Sequence, residues 1–419
     1  MPISRRDFLG AAAAASLASG LAGAGAAAGE SSGSAAPGRP RPSDQDASLV
    51  SSRMDPWIEV DPAALAHNVG QVRRLSERPI LAVLKNNAYG LGLALVARRL
   101  EPMPGIAGFA VVRTDEAIAL RDAGVRKPVL LMARAATADV GELVARGVEL
   151  AVYADDDPER ISGAVRRLGS APAAVHAYLD TGMSRMGVRW DEALPFLRRL
   201  GEAGALRVAG TFMAFTEEPE FDREQLARFL GVVEQARDEG FETGRLHAAS
   251  SNGVYHLPDG HLDMVRPGIA LFGAYPSRPA EERAQAELVP AVRLRARIAR
   301  VARLEPGESV SYGRRYVAER SVWIATIPAG HADGIPRAAV EGGRVLVGER
   351  TYPVIGAVSA SHTILEVGTE PAVRVGDVAT LLGPDHPDIH PNGFADAVGV
   401  SPYDLLMHLS PLLPRVLAG

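Results

Sequence analysis

The chain has 419 residues, 47% of them hydrophobic and 23% charged, with a formal net charge of -5 and no cysteine. Its length and apolar content allow two packed domains, while its acidic balance lacks the basic face that nucleic-acid binders present and the missing cysteines exclude a disulfide scaffold. Beyond the alanine-rich N-terminus no stretch reaches the roughly 20 apolar residues needed to span a bilayer.

The chain opens as an address. Arg5-Arg6-Asp7-Phe8-Leu9 is followed by an alanine, glycine and leucine run that carries no charge until Glu30. A basic start, a mildly apolar middle and small residues at Ala22, Ala24, Ala26 and Ala28 have the order of an export signal. The arginine pair resembles a twin-arginine address, read by machinery that exports proteins already folded. Residues 1–29 are expected to be this signal peptide and 30–56, rich in Ser, Pro, Gly and Ala, a disordered linker. The expected destination is periplasmic or extracellular, and folding before export would let a cytoplasmic cofactor be loaded first.

Ordered structure is expected from Trp57, with a short strand to Asp61 and a helix capped by Asp61 whose apolar residues recur at helical spacing. The apolar run Leu81-Ala82-Val83-Leu84 then stops at Lys85 and turns through Asn86-Asn87-Ala88-Tyr89-Gly90. This reads as a buried strand delivering an amine to its C-terminal end. Burying an ammonium without a partner is costly, and a carbonyl cofactor relieves that cost because the amine can form a Schiff base with it. Further strands are expected at 106–112, 128–132, 149–153, 174–179, 207–213 and 245–248, each followed by a loop and a helix. The alternation favours a (β/α)8 TIM barrel over 57–288, and no glycine-rich dinucleotide fingerprint follows the first strand.

In such a barrel reactive groups gather where strands end at the C-terminal face. Lys85 and Tyr89 fall there, as do Asp180-Thr181-Gly182-Met183-Ser184-Arg185 and His247 with Ser250, Ser251 and Asn252. Arg266-Pro267-Gly268-Ile269 adds an arginine beside a glycine turn whose amides at Gly268 and Ile269 could hold a phosphate. From Val289 the pattern changes to alternation, with arginines on one face of Ala291–Val301 read as a solvated surface. Short strands with glycine-rich turns follow, so 289–419 is expected to be a mainly β domain. Asp385, His386 and His390 read as a surface loop, and no metal site is expected.

Together these motifs resemble the alanine racemase family. The segments that carry the resemblance are 82–90, 180–187, 263–273, Val310-Ser311-Tyr312-Gly313 and 327–334, in family order. It implies a pyridoxal 5'-phosphate barrel followed by a β-rich domain, and an amino-acid racemase with alanine as default substrate, acting as a homodimer that shares its sites. Lys85 would hold the cofactor and serve as one of two bases, with Tyr312 of the partner subunit as the other, because racemisation needs a proton group on each face of the α-carbon. Arg266 would face the pyridine nitrogen, which a guanidinium leaves unprotonated. Tyr89, Ser251, Gly268, Ile269 and Tyr403 match the phosphate-holding positions, and Arg185 matches the arginine near the substrate carboxylate.

Several family positions are altered around the substrate. Tyr178 stands where many members carry a carbamylated lysine, Ala214 where a histidine stacks on the cofactor ring, and His331 where a tyrosine lines the access channel. Val358-Ser359-Ala360-Ser361 replaces the usual cysteine-methionine-aspartate segment, leaving Ala360 with an amide for the substrate carboxylate but not the usual side chain. These changes are expected to widen the pocket, weaken cofactor retention and relax or shift the specificity. Two other activities fit the same motifs: a pyridoxal-phosphate lyase or aldolase acting on a D-amino acid, and a homologue that binds cofactor or amino acid without turnover.

Overall fold

The computed structural model describes residues 55–418. The expected signal peptide and nearly all of the expected linker lie outside the described residues.

Seven strands lie parallel in chain order: Ile80–Val83, Ile106–Val111, Val129–Leu131, Glu149–Val152, Ala173–Asp180, Leu206–Phe212 and Arg245–His247. Residues 264–267 supply the eighth wall. Val265 N–H donates to the Pro79 carbonyl at 3.0 Å, Leu81 N–H to the Val265 carbonyl at 2.9 Å, and Arg266 N–H to the Ala249 carbonyl at 2.8 Å. The segment is therefore bonded to the first strand and to the residues that continue from the seventh, and the (β/α)8 barrel closes. Strands such as Ile80–Val83 and Val129–Leu131 are buried along their whole length, as expected of a parallel sheet covered on both faces. The outer helices follow the same logic: Asp61 accepts from the amides of Ala63 and Ala64, Pro62 occupies the first turn, and Leu65, Val69 and Val72 form the buried stripe of Pro62–Ser76.

The mainly β domain is built on one nine-stranded path that runs from Arg300–Leu304 to Arg415–Leu417. Two expectations are corrected here. The strand Trp57–Val60 belongs to this sheet and not to the barrel, pairing antiparallel with Val292–Arg297 and parallel with Arg415–Leu417. Its Glu59 meets Arg295 at 2.9 Å, so the strand's polar side finds its match in the arginine face of the β domain. The run Ala291–Val301 is also not one strand, because it breaks at Ile298 and Ala299 and its second half crosses to the far edge of the sheet. Nor are its arginines merely solvated: Arg293 pairs with Asp385, Arg295 with Glu59 and Arg297 with Asp55.

The end of the chain returns to the barrel mouth. Helix Pro402–Met407 lies against the Lys85 turn, where a Cβ on Gly90 would stand 2.3 Å from the Leu406 carbonyl oxygen. Arg415 closes the junction by donating from Nε and Nη2 to the Gly90 carbonyl at 3.0 and 2.7 Å.

Candidate active site

Lys85 is the first residue of an unusual turn. Asn86, Asn87, Ala88 and Tyr89 all have φ between 52 and 57°, followed by Gly90 at 84°. Consecutive left-handed residues cost roughly 1–2 kcal/mol each for an ordinary side chain, so the surroundings must hold them. Asn87 N–H donates to Glu116 Oε1 at 3.1 Å, Asn87 Oδ1 accepts from Leu93 N–H at 2.8 Å, and the Ala88 amide reaches the Leu84 carbonyl at 2.8 Å. The turn sends the Lys85 amine and the Tyr89 phenol away from the strand into the barrel mouth. Burial pushes the Lys85 ammonium down from its ordinary value, and the charge of Arg185 adds to this against the opposing carboxylates of Glu116 and Glu217. The amine forms no hydrogen bond or ion pair among the described residues.

A second group of residues forms a cradle. Ser251 begins the helix Ser251–His256, and its hydroxyl oxygen accepts from the amides of Gly268 and Ala270 at 3.0 and 3.3 Å. The Gly268 amide is thus not free, as the sequence suggested, but committed to Ser251, whose own hydroxyl proton remains to be given. Gly268 carries no side chain because Tyr89 occupies the space: a Cβ there would lie 2.1 Å from the Tyr89 hydroxyl. Tyr89 in turn packs on Phe272 at 4.9 Å and faces Tyr403 at 6.3 Å. Burial raises both phenols above their ordinary value, so they remain hydrogen-bond donors. Tyr89, Ser251, Gly268, Ile269 and Tyr403 are brought to one place by four separate stretches of chain.

Arg266 lies beside this cradle, buried, with its guanidinium over the Phe212 ring at 5.2 Å. Nη1 donates to His247 Nδ1 at 3.0 Å and to the His247 carbonyl at 2.6 Å; Nη2 donates to the carbonyls of Met213 and Ala248 at 2.6 and 3.1 Å. A guanidinium has five N–H donors, so these bonds leave only Nε–H to spend. Burial pushes Arg266 down to about 10, which keeps it cationic at neutral pH. His247 is held well below its ordinary value, first by burial and then by the charge of Arg266. Pyridoxal phosphate fits what is present: an unpaired amine at Lys85, a spare donor at Arg266 for a ring nitrogen, and a hydroxyl-rich cradle for a phosphate.

The substrate side is more open. Arg185 sits exposed in the loop after Ala173–Asp180, where Asp180 Oδ1 accepts from Gly182 and Ser184 amides at 3.0 Å each. It has no ion pair among the described residues, and its charge reaches both Lys85 and Arg266. Tyr178 does not supply it with an anion; the ring instead stacks on Phe212 at 4.2 Å and meets Tyr153 edge-on at 5.9 Å. Ala214 packs against this aromatic group, so the two positions expected of the family's lysine and histidine, Tyr178 and Ala214, share one apolar cluster with Tyr153 and Phe212. Tyr312 lies elsewhere. It is 77% exposed, in a short turn between Ser309–Val310 and Tyr316–Val317 in the β domain, and none of its contacts joins it to Lys85. Ala360 is exposed on the same domain, its carbonyl accepting from Ala332 N–H at 3.0 Å, and His331 bonds through its amide to the Ser359 carbonyl at 2.9 Å.

Sequence reasoning missed Glu116, Glu217, His176 and Phe212. Glu116 and His176 are polar residues at buried positions of a helix and a strand, a signal that an apolar-periodicity reading passes over. Glu217, raised from its ordinary value by burial, reaches the Ser250 hydroxyl at 3.4 Å and acts on Lys85, Tyr89 and Tyr403 through its charge.

Residues 60–276 match the profile described as alanine racemase, N-terminal domain, and 291–417 that of alanine racemase, C-terminal domain. An alanine racemase of Geobacter sulfurreducens is 36% identical over 369 residues, 85% of this chain and 96% of the relative. One from Desulfovibrio desulfuricans is 32% identical, over 88% and 99% of the two chains. Among solved structures, alanine racemase of Clostridium difficile 630 superposes with a TM-score of 0.81 at 27% identity, over 87% of this chain and 95% of that one. The enzyme of a D-cycloserine-producing Streptomyces lavendulae gives 0.81 at 30% identity, over 87% and 97%.

Proposed function

The chain belongs to the alanine racemase family, and on that premise we propose that Lys85 and Tyr312 are the two proton-transfer groups of its pyridoxal-phosphate-dependent amino-acid racemase reaction. Pyridoxal phosphate, when bound, draws electrons from the substrate and so acidifies its α-proton. Lys85 holds the cofactor and moves the proton on one face of the α-carbon, its lowered basicity making the neutral amine accessible. Tyr312 gives or takes the proton on the other face. Arg185 holds the substrate carboxylate, helped by the Ala360 amide. Arg266 donates through Nε–H to the ring nitrogen and does not surrender that proton, which restrains side reactions. Tyr89, Ser251, Tyr403 and the Ile269 amide hold the phosphate, with the Gly268 amide fixing the Ser251 hydroxyl.

The observation that carries this reading is that Tyr312 stands 77% exposed on the β domain, with no bond among the described residues to Lys85 or its neighbours. The site is completed by the Tyr312 of a second copy, so the working enzyme is a homodimer. Alanine is the substrate, and the small residues Ala214 and Ala360 leave room for larger side chains. Arg5-Arg6 and the run that follows support export by the twin-arginine machinery to the periplasm or beyond, where D-amino acids are exchanged with the cell wall.

Lys85→Ala should lose both the visible band of bound cofactor and D-product, whereas Tyr312→Phe should keep the band and lose D-product. Mixing the two inactive chains under exchange should restore about a quarter of wild-type activity, because half the dimers are mixed and each has one intact site. No recovery would place Tyr312 outside the partner's site. Bound cofactor with no D-product from any amino acid would favour a lyase or a non-catalytic binder.

A further inference from the structure

The donor pattern around Arg266 continues away from the site. His247 Nε2 lies 2.9 Å from His176 Nδ1, and His176 Nε2 lies 2.8 Å from Glu149 Oε2. The chain of bonds runs from the barrel mouth to the strand Glu149–Val152, in which Glu149 is the first residue, at the N-terminal end of the barrel. His176 and His247 are both buried. Space is reserved for the first ring, because a Cβ on Gly210 would stand 2.6 Å from His176 Nδ1.

The protons in this chain have one consistent arrangement. Arg266 can only donate, so His247 Nδ1 must accept and its proton must sit on Nε2. His176 Nδ1 must then accept from it, which puts the His176 proton on Nε2, where the Glu149 carboxylate accepts. A proton on both nitrogens of either ring would set donor against donor. Glu149 is the only member that accepts without donating, so it terminates the chain and gives it direction.

We propose that Glu149, acting through His176, is a positioning residue for Arg266: its carboxylate orients both imidazoles so that Nη1 of Arg266 always finds an acceptor and Nε–H stays aimed at the cofactor. This rests on the reading that Arg266 meets the ring nitrogen. Without an acceptor at 149, His176 can carry its proton on Nδ1, which forces the His247 proton onto Nδ1, against Arg266. The guanidinium then loses a partner and its register.

The test uses the holoenzyme with nitrogen-labelled histidine. In the wild type, nitrogen NMR should show His176 and His247 both neutral and protonated at Nε2; an Nδ1–H tautomer at either ring overturns the proposal without any variant. Glu149→Leu should produce the Nδ1–H tautomer at His176 and raise the ratio of keto-acid by-product to D-product about threefold to tenfold, the equivalent of one ordinary hydrogen bond. Glu149→Gln, whose amide oxygen still accepts, should restore both readouts. Unchanged tautomers and an unchanged product ratio in Glu149→Leu, with only a lower melting temperature, would make Glu149 a structural residue and overturn the proposal. A wild type with the expected tautomers but no D-product would instead count against the racemase reading.

Discussion

Gly268→Ala is the most direct probe of the phosphate cradle. Its φ of -119° lies outside the left-handed region that favours glycine, and the substitution acts first through space. The added Cβ would stand 2.1 Å from the Tyr89 hydroxyl, 2.7 Å from Cζ and 3.1 Å from Cε2. Tyr89 cannot swing aside, since its ring is 3% exposed and packed on Phe272. Relieving such an overlap in a filled interior costs about 1–3 kcal/mol. Displacing the phenol would also remove one hydrogen bond to a charged phosphate, about 1.5–3 kcal/mol. The expected result is a melting temperature lower by several degrees and cofactor affinity weaker by roughly 10- to 100-fold, measured by titrating the cofactor-free protein with pyridoxal phosphate. Unchanged affinity in a folded Gly268→Ala protein would refute the placement of Tyr89 in the cradle.

Three further outcomes follow from the same geometry. Ser251→Ala leaves the Gly268 and Ala270 amides without their acceptor; it should cost about 1–3 kcal/mol of stability, read by denaturant unfolding, and an unaltered midpoint would show that other acceptors replace the hydroxyl. Gly90→Ala meets the Leu406 carbonyl at 2.3 Å with φ at 84°, so it should loosen the contact between helix Pro402–Met407 and the Lys85 turn, seen as faster proteolysis or amide exchange in both segments; protection equal to wild type would argue against it. His390 is pushed down to about 4, first by burial and then by Arg283, and its neutral Nδ1 accepts from Asn392 N–H at 3.2 Å. Because its folded value lies below the unfolded one, the unfolded chain binds more protons, and stability should fall as pH drops from about 6.5 towards about 4. His390→Asn should flatten that part of the difference curve, and a slope identical to wild type would assign the loss to other groups.

Much of this protein was legible in one dimension. Continuous apolar runs and period-3.6 patterns marked the barrel strands and helices to within a residue or two, because a strand buried on both faces has to be apolar throughout and a covering helix needs only one apolar stripe. Lys85, Arg266, Tyr89 and Ser251 stood out because a costly or reactive side chain at the end of an apolar run demands a reason. The sequence also carried the arginine alternation of 292–297 but not its partners. Only the folded chain decided that Trp57–Val60 leaves the barrel for the β sheet, since pairing with Val292–Arg297 joins residues more than two hundred positions apart. The same holds for the chain from Arg266 through His247 and His176 to Glu149. Hydrogen bonds have direction and reach of about 3 Å, so which polar residues share a proton order depends on neighbouring strands in register, and strand neighbours are assigned by tertiary packing.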